Sequence, residues 1–193
     1  MKDRLTNRKR TPSAVLGATS SAPTTRKHAL ILGIDPSLRA TGYGVIRTGK
    51  PGPSAIRFGV IDCPAGWEHS RCLVKIAQTL RDVIRQHQPT VCIVEGLFYA
   101  QNLQTALIMG EARGASLVTV AEAGLEIFEM APRRVKQAIV GYGAAQKLAV
   151  AKMVQRLLRL PELPPPDAAD ALALALAHAQ ETSRFNLNLP KKI

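Results

Sequence analysis

Four acidic residues of this 193-residue chain stand where acids are costly. Asp35 ends the apolar run Ala29-Leu-Ile-Leu-Gly-Ile34, and Glu95 ends Thr90-Val-Cys-Ile-Val94. Asp167 and Asp170 open an alanine- and leucine-rich segment that continues to His178. A carboxylate held at the edge of a core needs donors, a cation or a proton. Asp167 and Asp170, three apart, share one helix face and can point at one spot. Oxygen ligands suit hard cations such as Mg²⁺, and two such ions about 4 Å apart would clamp a phosphodiester during in-line attack by water. Plainer readings exist for single members of the set. Asp167 after Pro164-Pro-Pro166 is an ordinary N-cap or first-turn acid, and Asp35 before Pro36 can start a turn. Glu95 resists such a reading, because nothing in a Val-Cys-Ile-Val strand asks for a terminal acid. Jointly, four acids at core edges of a basic protein favour a metal-dependent nuclease site. Spacing alone leaves their convergence open.

The partner of such a site is written in the charge. The chain carries 26 Lys+Arg against 14 Asp+Glu, a net +12. Residues 1–28 hold +6 of this and residues 133–159 hold +7, leaving −1 for everything else. Confinement of the excess to two stretches points to a polyanion. In the second stretch Arg133, Arg134, Lys136, Lys147, Lys152, Arg156 and Arg159 occur without a single acid, so Arg133, Arg134, Lys136, Lys147 and Lys152 are candidate DNA-binding residues. Other classes are excluded or disfavoured. No apolar run reaches the roughly 18 residues of a membrane span. Cys63, Cys72 and Cys92 form no C-x-x-C pair, which argues against a disulfide framework or structural zinc and fits a reducing, cytoplasmic setting. The four histidines are too scattered for a His-rich metal site.

The elements that must position these groups follow from pattern. Residues 1–28 read as a flexible basic tail, with an organellar transit peptide as the alternative. A domain over 29–181 then begins with three strands at 29–35, 41–47 and 55–62, the last two joined by Lys50-Pro-Gly-Pro53. Helical spacing covers 68–87, a strand covers 90–95, and a second helix spans 101–123. In that helix Ala106, Gly110 and Gly114 fall four apart, a smooth stripe for close packing on the sheet or on a subunit. A fifth strand at 125–130, a short helix from Pro132, an amphipathic helix at 144–160 and a buried helix from Asp167 complete the domain, and 182–193 read as a C-terminal tail. The expectation is an α/β fold, a mixed five-stranded sheet flanked by helices.

The ordered pieces Ile34-Asp-Pro-x-x-Arg-x-Thr-Gly-Tyr-Gly44, Val94-Glu-x-x-Phe98 with Asn102, Gly110-x-Ala-Arg-Gly114, Val135-Lys-Gln137, Gly141-x-Gly143 and Asp167-Ala-Ala-Asp-Ala-Leu172 are familiar. Over roughly residues 29–181 the chain resembles the RuvC family of bacterial Holliday-junction resolvases. The resemblance implies a ribonuclease H-like fold and an endonuclease that resolves four-way DNA junctions by paired symmetric nicks in recombination and repair. It implies Asp35, Glu95, Asp167 and Asp170 as metal-binding catalytic acids, with Mg²⁺ as the cofactor at two ions per site and Mn²⁺ able to substitute. It further implies Lys136 and Lys147 at the DNA backbone, Lys147 stabilising transition-state charge, and Phe98 stacking at the crossover. Asn102 and Arg113, within the matching motifs, join the DNA-binding candidates. A homodimer and a branch-migration complex, RuvA–RuvB, are the implied partners. Three departures stand out: Ser37-Leu38 where the family usually has Gly-Ser, Gly96-Leu97 after the glutamate, and the basic tail. A non-catalytic junction-binding protein and an actin-like ATPase are the rival readings, the latter short of room for its two domains.

Overall fold

A computed structural model describes residues 28–96, 102–183 and 191–193. Strands β1 (Leu30–Asp35), β2 (Ala40–Arg47) and β3 (Ser54–Asp62) form an antiparallel meander. Helix α1 (His69–His87) leads to β4 (Val91–Glu95), and α2 (Leu103–Glu122) leads to β5 (Glu126–Met130). Strand β4 pairs in parallel with β1, and β5 pairs in parallel with β4. Helices α3 (Pro132–Val140), α4 (Lys147–Leu158) and α5 (Pro166–Ser183) follow, and β6 (Lys191–Lys192) closes the order β3-β2-β1-β4-β5-β6.

The sheet therefore has six strands where five were expected. The sixth pairs antiparallel with β5 through Phe128↔Lys192 and Glu129↔Lys191, and Lys192 Nζ donates to Glu126 at 2.6 Å. Two residues of the expected C-terminal tail thus belong to the sheet. A pair of lysines carries no apolar alternation to announce a strand, though lysine on an edge is a familiar guard against further pairing.

Alternation along the central strands feeds two cores. Ile31 and Ile93 pack under α3, α4 and α5, while Leu32, Ile34, Cys92 and Val94 pack under α1 and α2. Burial on both faces is why these strands read as continuous apolar runs. It also determines where their terminal acids go. One step beyond Ile34 and Val94, Asp35 and Glu95 turn to the α5 side.

Helix α5 lies against the sheet at glycines. A Cβ on Gly33 would overlap the Ala171 carbonyl oxygen, and one on Gly42 would overlap that of Asp167. Only residues without a side chain allow this approach, and alanines on the facing helix complete it.

Candidate active site at the carboxyl end of the sheet

Gly42 is the register partner of Asp35, so the contact between Gly42 and the Asp167 backbone brings the start of α5 beside the end of β1. The pairing Ile34↔Val94 sets Glu95 at the same end, one strand over. Asp170, one turn on from Asp167, completes the group. The four acids predicted from sequence meet at one pole of the sheet, contributed by β1, β4 and α5.

Their electrostatics are those of a site short of positive charge. Burial pushes the Asp35 carboxyl up, and the charge of Asp170 pushes it further. Burial likewise raises Glu95, followed by the charge of Asp35. The two carboxyls lie close enough to share a proton. Lys147, first residue of α4, donates from Nζ to Asp170 Oδ2 at 2.9 Å, and this hydrogen bond raises its own pKa. Its side chain is 72% exposed, so the ammonium stands at the mouth of the cluster. Among the described residues no three His, Cys, Asp or Glu groups are already arranged around one ion. One ammonium and the close approach of the Asp35 and Glu95 carboxyls offset only part of their negative charge. A divalent cation would offset the rest, and an all-oxygen donor set suits Mg²⁺ or Mn²⁺.

The turn after Asp35 accommodates its departure from the family pattern. Thr41 Oγ1 accepts from the Ser37 amide at 3.2 Å and donates to the Ser37 carbonyl at 2.5 Å, while Leu38 is buried in the α1–α2 core. Ser37 is not among the residues with positive φ, so no glycine is required there. Arg39 secures the far side of the turn with hydrogen bonds to the carbonyls of Pro64 and Trp67.

The remaining candidates divide. Arg133 is exposed and Lys136 half-buried on α3, and Lys152 is exposed on α4. Arg134, a DNA-binding candidate, has a partner within the fold. It forms a two-pronged pair with Glu181, at 2.6 and 2.9 Å, eleven residues beyond Asp170 on α5. Arg113, another of the candidates, lies inside the fold. Its side chain is only 9% exposed, behind the sheet, where it bonds the Glu95 carbonyl and the Glu129 carboxylate. Asn102, also a candidate, caps α2: its Oδ1 accepts from the Thr105 amide at 2.7 Å. Phe98 lies outside the described residues, as does the basic tail up to residue 27. Glu129 was missed. Its signal was available, an acid near the end of a parallel strand, as with Asp35 and Glu95.

Known proteins resemble this chain over the whole described domain. The crossover junction endodeoxyribonuclease RuvC of Pseudomonas entomophila (strain L48) is 46% identical over 154 residues, 80% of this chain and 88% of the relative. That of Syntrophomonas wolfei subsp. wolfei is 44% identical over 149 residues, 77% and 87% of the two chains. A structure of Thermus thermophilus RuvC in complex with Holliday junction substrate superposes with a TM-score of 0.75 at 29% identity, covering 85% of this chain and 99% of that one. The yeast mitochondrial Holliday junction resolvase, at 12% identity and a TM-score of 0.59, shares the fold alone. These neighbours place the sheet in the ribonuclease H-like class. The family model of the crossover junction endodeoxyribonuclease RuvC matches residues 31–178, a span holding all four acids and Lys147, and the chain belongs to the RuvC family.

Proposed function

We propose that this protein is a Mg²⁺-dependent, structure-selective endonuclease that resolves four-way DNA junctions by paired nicks during recombination and repair. The observation that carries the reading is the meeting of Asp35, Glu95, Asp167 and Asp170 at one pole, with Lys147 as their nearby cation. Bound there, divalent ions would activate water and neutralise the leaving oxygen, with Mn²⁺ an effective substitute. Asp35 and Glu95 would hold such ions as carboxylates. Lys147, released from Asp170, has the reach and exposure to meet the scissile phosphate and stabilise its developing charge. Lys136, Arg133 and Lys152 hold neighbouring phosphates, which position the duplex without reading its sequence.

A junction has two equivalent strands to cut, so a dimer with two sites suits it. Support for a second copy comes from the outer face of α2, where Leu103 and Leu107 are 76% and 60% exposed and Val118 is also bare. Cβ atoms added at Gly110 and Gly114 on this helix would meet nothing within 4 Å, so another helix has room to come close. Family membership supports a branch-migration partner of the RuvA–RuvB kind, and a chromosomal substrate supports a cytoplasmic location. No described helix is long and apolar enough to cross a membrane.

The test is cleavage of a synthetic four-way junction beside a linear duplex of the same sequence, with Mg²⁺ and with EDTA. Symmetric nicks in the junction alone, only with Mg²⁺, are expected. Comparable cutting of the linear duplex would remove junction selectivity, and cutting in EDTA would remove the metal.

A further inference from the structure

Glu95 is the last residue of β4, and what holds it lies on the opposite face of the sheet from its carboxylate. The pairing Val94↔Glu129 turns Glu129 toward α2. From the middle of that helix comes Arg113, the one buried arginine among the described residues. One guanidinium nitrogen donates to the Glu95 carbonyl, and another donates to Glu129 Oε2 at 2.5 Å. Glu129 also lies directly beneath the next residue: a Cβ on Gly96 would stand 3.3 Å from Glu129 Cγ and Oε1. The Gly96 amide in turn donates to the Met130 carbonyl at 2.9 Å. The end of β4 is thereby tied to β5 and α2 at the residue whose side chain enters the acid cluster.

We infer that Arg113 and Glu129 are positioning residues that hold the Glu95 carboxylate in place for divalent-cation binding. The inference rests on the proposed metal-dependent reading of the carboxylate pole. Neither residue touches substrate or metal. Arg113 acts through the backbone of Glu95, and Glu129 acts through Arg113. The guanidinium suits the task because its planar fork reaches a carbonyl and a carboxylate at once. A lysine keeps the charge but, as a single point donor, loses that fixed geometry. Outer partners of metal ligands commonly contribute about 10- to 100-fold in metal affinity or activity.

The experiment compares wild type with Arg113→Lys, Glu129→Gln and the double variant in the full chain. Three quantities are read: the Mg²⁺ concentration for half-maximal junction cleavage, the rise in Tm on adding Mg²⁺, and junction affinity in EDTA. Each single variant is expected to raise the half-maximal Mg²⁺ about 10-fold and to shrink the Mg²⁺-induced rise in Tm, with junction affinity unchanged. The double variant should be no worse than the poorer single one, because both act as one unit. A lower metal-free Tm with an unaltered Mg²⁺ response would overturn the proposal in favour of plain structural support. Weakened junction binding with an unaltered Mg²⁺ response would overturn it in favour of a DNA contact. Should Arg113→Lys fail to fold, Glu129→Gln decides by the same criteria. Failure of the wild type to cut the junction would count against the functional reading alone, since the Mg²⁺-induced change in Tm still reports on Glu95.

Discussion

Two groups of charge flank the end of β4, and they are balanced in opposite ways. Behind the sheet, the Arg113 guanidinium meets one carboxylate and one carbonyl, and its charge is matched inside the fold. In front, Asp35, Glu95, Asp167 and Asp170 converge near the ammonium of Lys147, and burial with mutual repulsion raises the pKa of Asp35 and Glu95. Charge that supports structure comes with its partner, whereas charge that serves chemistry is left wanting one. A few ångströms of sheet separate the two conditions.

The contrast breaks most visibly on neutralising the front group. Asp35→Asn or Asp170→Asn should lower junction cleavage by about a thousandfold or more, since each removes a proposed metal ligand. Either change should leave the metal-free protein as stable or more so, because it relieves repulsion. Thermal melts in EDTA read this directly. Neutralising the rear group should do the reverse. Arg113→Met leaves Glu129 facing the core without its cation, and about 3–5 kcal/mol of stability should be lost, as for other broken buried pairs. Urea titration without metal measures it, and equal losses at front and rear would dissolve the distinction.

pH sharpens the comparison next. Asp35 and Glu95 have folded-state pKa values raised above their unfolded ones, so in that window the folded state binds more protons than the unfolded state. Without metal, their contribution to stability is present below the ordinary carboxylate range near pH 4 and declines as pH rises through the raised values. Mg²⁺ should offset that decline, and its apparent affinity should fall with acidification as protons compete. His178 behaves oppositely. It lies on α5 against Phe128, its ring nitrogens have no hydrogen-bond partner among the described residues, and burial lowers its pKa to about 4. Neutral when folded, it should cost up to roughly 3 kcal/mol as pH falls from 6.5 to 4, and His178→Phe should blunt that loss in acid melts. The smallest effect belongs to the exposed cations. Lys152→Ala should weaken junction binding severalfold and lower the slope of log K against log salt by about one, with cleavage at saturation retained.

Much of the front group was legible in the sequence because local physics marks it. An apolar run ending in a carboxylate is visible in a single strand, and Asp167-x-x-Asp170 is visible in a single turn of helix. The rear group was not, and the reason is distance along the chain. Arg113 read as a DNA-binding candidate within a matching motif, and its tie to Glu129 came only with the β4–β5 register that puts Glu129 under Gly96. The pair of Arg134 with Glu181 was not legible for the same reason, its partners lying 47 positions apart. Strand β6 escaped because two lysines have no periodicity, and its place is set by Phe128 and Glu129 across the edge. The glycines in the Thr-Gly-Tyr-Gly motif were visible as letters. Their purpose, letting α5 lie on the sheet and carry Asp167 to Asp35, needed the helix in place.

The central claim is that the acid cluster takes up divalent cations that cut a four-way junction. Its most direct test is single-turnover cleavage of one synthetic junction across a Mg²⁺ titration, with wild type and Glu95→Gln side by side and junction binding checked for both in EDTA. Saturable nicking by the wild type and none by Glu95→Gln, at equal junction affinity, is the expected result. Cleavage by Glu95→Gln at the wild-type rate, or wild-type cleavage independent of Mg²⁺, would contradict it.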